Sequence, residues 1–321
     1  MFSNTKSPQK TLIEEQLVRE HIAAEKIKAW LSMLPTLIRR FSQIPDPRRA
    51  NSIKHKLVVL MVFGLLAFVF RMSSRREINR ELTGATINNN LRKLFPELDS
   101  IPHADTLARI LEKTNANEIE SVQIELIKEL IKKKKFKKLL IQGCLPISID
   151  GAQKLFRNGL LHDSNWLQRT VGKAETKMQQ QYVYAIEANI TLKNGLNIPV
   201  LTEYLYMDNN QLANPQGKQD CELNAFERMT ERLKNYFPRL KIMVFMDALY
   251  ATQSMMGLLH QYDWQYVINL PKNKLKDFTK LLHEKRDTKQ SIPNQLYYRG
   301  RQQEFYWVNN IEYGKKSWLS L

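Results

Sequence analysis

Two short apolar stretches each carry one aspartate near their far end: Leu145-Pro-Ile-Ser-Ile-Asp-Gly-Ala-Gln153 and Lys241-Ile-Met-Val-Phe-Met-Asp-Ala248. Both read as buried strands that deliver Asp150 and Asp247 to their C-terminal ends. Carboxylates fixed at the ends of neighbouring strands suit a divalent cation, because hard cations take oxygen ligands and need rigid supports. A lone aspartate before glycine is more often a turn residue. Two such segments in one chain shift the balance toward metal chemistry. Asp220 and Glu222 open a helix between them, where the helix dipole alone favours acids.

The elements that must hold these acids are legible from periodicity. After the Asp150 strand, 155–177 reads as irregular and polar. Strands are expected over 182–192 and 198–206, with Lys193-Asn-Gly195 as a hairpin signal. A helix over 220–237, the Asp247 strand, a helix over 252–262 and a strand over 264–270 follow. Residues 274–284 read as helix, and 295–307 as strand material turning at Arg299-Gly-Arg301. The order β–β–β–α–β–α–β, with acids on the first and fourth strands, is the plan of a ribonuclease H-like sheet.

Ahead of this lies helical sequence. Residues 11–33 place Leu12, Leu17, Ile22, Ile27 and Leu31 near one face, and Pro35 is expected to end or kink that helix. The apolar run 57–70 is flanked by Lys54, Lys56 and Arg71. A membrane span needs roughly 20 apolar residues, so the run reads as a buried core helix. Three short helices between 73 and 113 suggest either a helix-turn-helix-like module or an ordinary bundle with a basic face. Ser73 or Ser74 could cap the first of them, Gly84 would stop it, and His103 reads as a turn or capping residue. Its exposed cations would be Arg75, Arg76, Arg80, Arg92, Lys93 and Arg109. A long helix over 118–140 ends in the lysine run Lys132, Lys133, Lys134, Lys135 and onward to Lys138, a solvated or phosphate-facing surface.

Composition supports a polyanionic partner. The 321 residues carry a formal net charge of +17, which favours nucleic acid ahead of anionic membrane. The surplus of basic over acidic residues is 26 against 15 across residues 1–149 and 23 against 17 across 150–321, so the front half is the expected grip on phosphates. Two cysteines, Cys144 and Cys221, exclude a disulfide framework and lack metal-ligand spacing. The polar, lysine-bearing start does not read as a secretory signal.

Six segments together carry a family resemblance. They are Ile44-Pro-Asp-Pro-Arg48, Ile101-Pro-His-Ala-Asp-Thr106, Ile147-Ser-Ile-Asp-Gly151, Lys218-Gln-Asp-Cys-Glu222, Phe245-Met-Asp-Ala-Leu-Tyr250 and Asn269-Leu-Pro-Lys-Asn-Lys274. In this order the chain resembles bacterial insertion-sequence transposases of the DDE type. The resemblance implies an α/β fold in two parts. A basic helical N-terminal region over 1–140 precedes a ribonuclease H-like mixed β-sheet with flanking helices over 141–321. It implies that Asp150 and Asp247 are the first two acids of the triad, holding two Mg²⁺ ions, with Mn²⁺ as a substitute, and that Asp220 or Glu222, at the start of the helix between them, is an auxiliary ligand or orients one. It further implies metal-dependent cleavage and strand transfer on double-stranded DNA, at element terminal repeats and target. The active form would be a homo-oligomer in the bacterial cytoplasm at the nucleoid, with no membrane partner. Lys218, Lys272 and Lys274 would touch the DNA backbone. The family's third acid, a glutamate on a C-terminal helix, has no counterpart: Glu284, Glu304 and Glu312 lie in other contexts. The expectation is therefore a catalytic domain lacking its C-terminal helix, with impaired activity. The alternative is a non-catalytic DNA-binding remnant competing for element ends.

Overall fold

The computed structural model describes residues 11–161, 165–173, 176–192, 196–207 and 220–270, then 280, 284, 294–298, 301–305, 311–313 and 317–319. The chain divides into two compact units between Lys133 and Lys134.

The first unit is helical. Helix α1 (Leu12–Phe41) starts at a capping box in which the Thr11 hydroxyl accepts the Glu14 amide at 3.1 Å and Glu14 accepts the Thr11 amide. It runs through Pro35. The missing hydrogen bond is tolerated because Leu37 and Phe41, beyond the proline, are buried in the core. Helix α2 (Leu57–Val69) buries Leu57 to Gly64 without a break, and Ala67 as well. It is apolar all round because it is the centre of a core, not one side of it. Among the described residues no helix is long and apolar enough to cross a membrane.

Around α2 stand α3 (Arg75–Glu81), α4 (Ala85–Leu94), α5 (Ala104–Leu111) and α6 (Ala116–Lys132). Ser74 caps α3 through the Glu77 amide. Gly84 does not close α3, whose C-cap is Leu82; it sits at the N-cap of α4 and opens that helix. His103 caps α5, its ring Nδ1 accepting the Asp105 amide at 3.3 Å, which bears out the capping role. A Cβ on Gly64 would lie 2.9 Å from Leu107 Cδ2, so α2 and α5 pack without room for another carbon. Helix α6 stops at Lys132 and does not reach residue 140: the lysine run passes into a turn in which Lys134 has φ 55°. Lysines stacked at helical spacing would repel one another, and the turn separates them.

The second unit is a mixed sheet with helices. Its strands are β1 (Leu145–Asn158), β2 (Leu167–Val171), β3 (Met178–Thr191), β4 (Asn197–Leu205), β5 (Ile242–Asp247) and β6 (Gln265–Asn269). β3 runs antiparallel to β1 over nearly its whole length. The other edge of β3 is shared end to end, by β2 against 178–182 and by β4 against 184–191. On the far side β1 pairs in parallel with β5, and β5 in parallel with β6. Helix α7 (Glu222–Tyr236) packs on β3 and β4 through Ala225, Phe226, Met229 and Leu233, all fully buried. Helix α8 (Gln253–Gln261) joins β5 to β6. Two small hairpins follow, β7 (Asn294–Tyr298) with β8 (Arg301–Phe305), and β9 (Ile311–Tyr313) with β10 (Ser317–Leu319). The Lys193–Gly195 signal, the Arg299-Gly300 turn and most of 274–284 lie outside the described residues.

Two strand expectations need correction. Residues 155–177 are not irregular: β1 continues to Asn158 and β2 lies within the stretch. Glutamines disguise the pattern. Gln181 is fully buried, accepting the Leu161 amide at 2.9 Å and donating to the Leu161 carbonyl at 3.1 Å. A register shift between Gln153 and Leu155 breaks the alternation further. Asp150 is accordingly mid-strand in β1, though the ladder to β5 ends just before it, at Ser148.

Candidate functional site

The last parallel pair joining β1 to β5 is Ser148 with Phe245. Two residues further along each strand stand Asp150 and Asp247. They are therefore level, and strand alternation turns them to the same face. Both are exposed. Asp150 Oδ1 accepts the Gly151 amide at 2.9 Å, and Asp247 Oδ1 accepts the Leu249 amide at 2.8 Å, capping the short turn Ala248–Tyr250. Glu187 lies directly across from Asp150 on β3 and is neutralised by Lys154 at 2.6 Å.

Glu222, the first residue of α7, comes up against the backbone beside Asp150. The Tyr250 hydroxyl donates to Glu222 Oε2 at 3.0 Å, and the Tyr184 hydroxyl hydrogen-bonds the same carboxylate. A Cβ on Gly151 would lie 2.5 Å from the Tyr184 oxygen and 2.7 Å from Glu222 Oε2. Only glycine leaves that space. Burial drives both phenols well above the ordinary tyrosine range, reinforced by Glu222 and, more weakly, by Asp247; Asp150 adds to the effect at Tyr184. The hydroxyls thus stay protonated and remain donors. Tyr250 is itself fixed by packing on Phe226, ring centres 4.8 Å apart. Sequence reasoning gave Tyr184, Tyr250 and Gly151 no role. Tyr250 lay within a quoted motif, whereas Tyr184 had no signal of its own.

Asp220 is turned elsewhere. Arg228 holds it at 2.7 and 3.3 Å, and Arg228 also binds Glu203, which in turn binds Arg232. The Asp220 hydrogen bond is the main cause raising the Arg228 guanidinium above its ordinary value. This network ties α7 to β4. A cavity of about 410 Å³ opens beside Tyr184 and Glu222, walled by Leu167, Arg169, Tyr182 and Leu205. A wider groove of about 820 Å³ between α7 and α8 includes neither aspartate nor Glu222. Among the described residues no three His, Cys, Asp or Glu side chains converge as a cage for one ion.

The basic candidates are dispersed. Arg75 pairs with Asp105 at 3.1 Å and Arg80 with Glu81 at 2.7 Å. Arg92 donates to the Leu98 and Asp99 carbonyls, holding the loop after α4. Lys93 reaches Asn90 at 3.5 Å, Lys133 pairs with Glu129, and Arg76, Lys132, Lys134 and Lys135 are exposed. Lys218, Lys272 and Lys274 lie outside the described residues.

Residues 38–127 match the DDE_Tnp_1-associated family model. No curated protein matches the chain. Among solved structures, the piggyBac transposase synaptic complex with hairpin DNA aligns over 75% of this chain and 49% of that one, at 11% identity and a TM-score of 0.33. The chain thus spans about half the length of that transposase. The Mos1 transposase paired-end complex with left transposon end aligns over 70% of each chain, at 9% identity and a TM-score of 0.23. The stretch that matches the DDE_Tnp_1-associated model lies wholly within the helical unit.

Proposed function

We propose that this chain is a DDE-type transposase of a bacterial insertion sequence, with a helical DNA-gripping part over 1–140 and a ribonuclease H-like catalytic part over 141–321. The observation that carries the reading is the level pair Asp150 and Asp247 on adjacent parallel strands of a sheet ordered β4-β3-β1-β5-β6. The transposase-associated segment at 38–127 supports it. Hard oxygen donors on two rigid strands fit Mg²⁺, which binds through one or two carboxylates and completes its shell with water and phosphate oxygens. When bound, such ions activate the attacking oxygen and stabilise the leaving one in phosphodiester cleavage and strand transfer. The protein's own contribution is to fix the two aspartates. Their Oδ1 atoms are tied to backbone amides, and Glu222 stands behind them between two phenols. Asp220 serves this site through the Arg228 network that anchors α7. The DNA-facing cations are Arg75, Arg76, Arg80, Arg92, Lys93, Lys132 to Lys135, Lys218, Lys272 and Lys274. The substrates are element ends and target duplex, engaged by a homo-oligomer in the bacterial cytoplasm.

A nicking assay on supercoiled DNA with Mg²⁺ or Mn²⁺ tests the reading. Asp150→Asn and Asp247→Asn should each lower the rate at least about a hundredfold while DNA affinity persists. Metal-dependent nicking that survives both substitutions would sink it. A second reading, a DNA-binding remnant that occupies element ends without cutting, draws only on the basic surplus of the chain. It would give salt-sensitive binding and no nicking by the unmodified chain under either metal.

A further inference from the structure

We propose that a cationic pocket in the helical unit binds a phosphate group, supplied by the DNA backbone. The pocket, about 470 Å³, lies between the segment 48–55 and helix α5. Its walls include Arg48, Lys54, Arg109 and Lys113, with the hydroxyl-bearing Ser52 and Thr106. None of its lining residues is acidic, Glu112 included among those left out of the wall. Asp46 and Asp105, the other carboxylates close to it in sequence, are already engaged, by Arg48 at 2.7 Å and by Arg75 at 3.1 Å. Among the described residues, Lys54, Arg109 and Lys113 form no ion pair.

Three features make this a built site and not a solvated face. Thr106, Arg109, Ile110 and Lys113 recur at helical three-and-four spacing, so one side of α5 and its exit faces the pocket. Lys113 lies just past the end of α5, so Arg109 in its last turn and Lys113 at its exit are neighbouring like charges, and an anion between them offsets their repulsion. Opposite them, Arg48 is held in place: Asp46 takes its backbone amide, Nε and one Nη, and the His55 carbonyl takes the same Nη at 2.7 Å. A guanidinium fixed in this way meets a phosphate with little further loss of side-chain freedom. Arg48 closes the segment Ile44-Pro-Asp-Pro-Arg48, and Ile101, His103 and Thr106 belong to Ile101-Pro-His-Ala-Asp-Thr106, so both segments inside the matched stretch 38–127 contribute to the lining. The volume exceeds that of a bare phosphate and accommodates a phosphodiester with part of its sugar. The pocket does not depend on the acid pair, so it stands or falls separately from the cleavage reading.

The test uses the full chain carrying Lys54→Ala, Arg109→Ala and Lys113→Ala together. Fluorescence anisotropy would follow binding to several unrelated duplexes across a salt series, and calorimetry would follow inorganic phosphate. The expected result is at least a tenfold loss of affinity at low salt for every duplex. The slope of log affinity against log salt should fall by about 1, as expected when one backbone phosphate is no longer neutralised. Arg109→Lys alone should retain most of the binding. If duplex affinity is unchanged but the heat of phosphate binding disappears in the variant, the pocket takes free phosphate and not DNA. If neither changes, the proposal is overturned. Relief of like-charge repulsion should leave the melting temperature equal or higher; a collapse in melting temperature, with Arg109→Gln alone binding DNA as the parent does, also overturns it.

Discussion

Gly151 is glycine for a reason of space: its missing side chain is where Glu222 Oε2 and the Tyr184 hydroxyl sit. Gly151→Ala should push both aside, costing about 1 to 3 kcal/mol through overpacking, and thermal unfolding of the variant checks it. Tyr250→Phe keeps the ring on Phe226 but strips one donor from Glu222, a loss of about 1 to 3 kcal/mol by the same measurement. If Glu222 serves the acid pair, Mn²⁺ binding should weaken alongside; a purely structural Tyr250 would lower stability and leave Mn²⁺ affinity untouched. A second residue-scale device is Asp46, whose hydrogen bonds from the Arg48 guanidinium hold its carboxyl below the ordinary value of 3.8. Burial holds His55 below its ordinary 6.5. Both groups bind protons more readily in the unfolded chain, so both remove stability as pH falls. The His55 loss begins below 6.5, and the Asp46 loss is added below 3.8. Denaturant melts between pH 7 and pH 3 should therefore decline in two stages, and Asp46→Asn should flatten the lower one.

At the scale of elements, legibility followed how far burial dictates residue type. Helix α2 could be read because a helix buried on all sides must be apolar on all sides, and β5 because a central parallel strand must be. Leu60→Ala or Phe63→Ala should cost about 3 to 5 kcal/mol, as both side chains are fully enclosed. The far half of β1 and all of β2 escape the apolar pattern because their partners are polar: Gln180 and Gln181, on opposite faces of β3, are both buried and are satisfied by Arg169, Asn158 and the Leu161 backbone. Hydrogen bonds there do what apolar area does elsewhere, and periodicity does not register them. The level placement of Asp150 and Asp247 was anticipated as two strand ends, but it arises from a parallel register that no local pattern encodes. Of the two outcomes expected at Pro35, an end or a kink, the end does not occur, because tertiary burial of Leu37 and Phe41 carries α1 past it. Pro35→Ala should then raise the melting temperature, since it restores a helical hydrogen bond at an exposed position.

Over the whole molecule, the charge of +17 makes any DNA affinity a function of ionic strength. Binding by the unmodified chain should fall steeply between low and physiological salt; a flat dependence would mean that the basic surplus does not meet phosphate. The boundary between the two compact units, at Lys133 and Lys134, falls within four consecutive exposed lysines, the third of them held at a backbone angle that side chains other than glycine seldom adopt. That seam is also a recognition sequence for trypsin. A brief, dilute digestion should cut there first, yielding fragments of about 16 and 22 kDa, in proportion to the 133 and 188 residues on either side and the 37.8 kDa total. The order in which those bands appear would show whether the boundary inferred from packing is also where the chain is easiest to open.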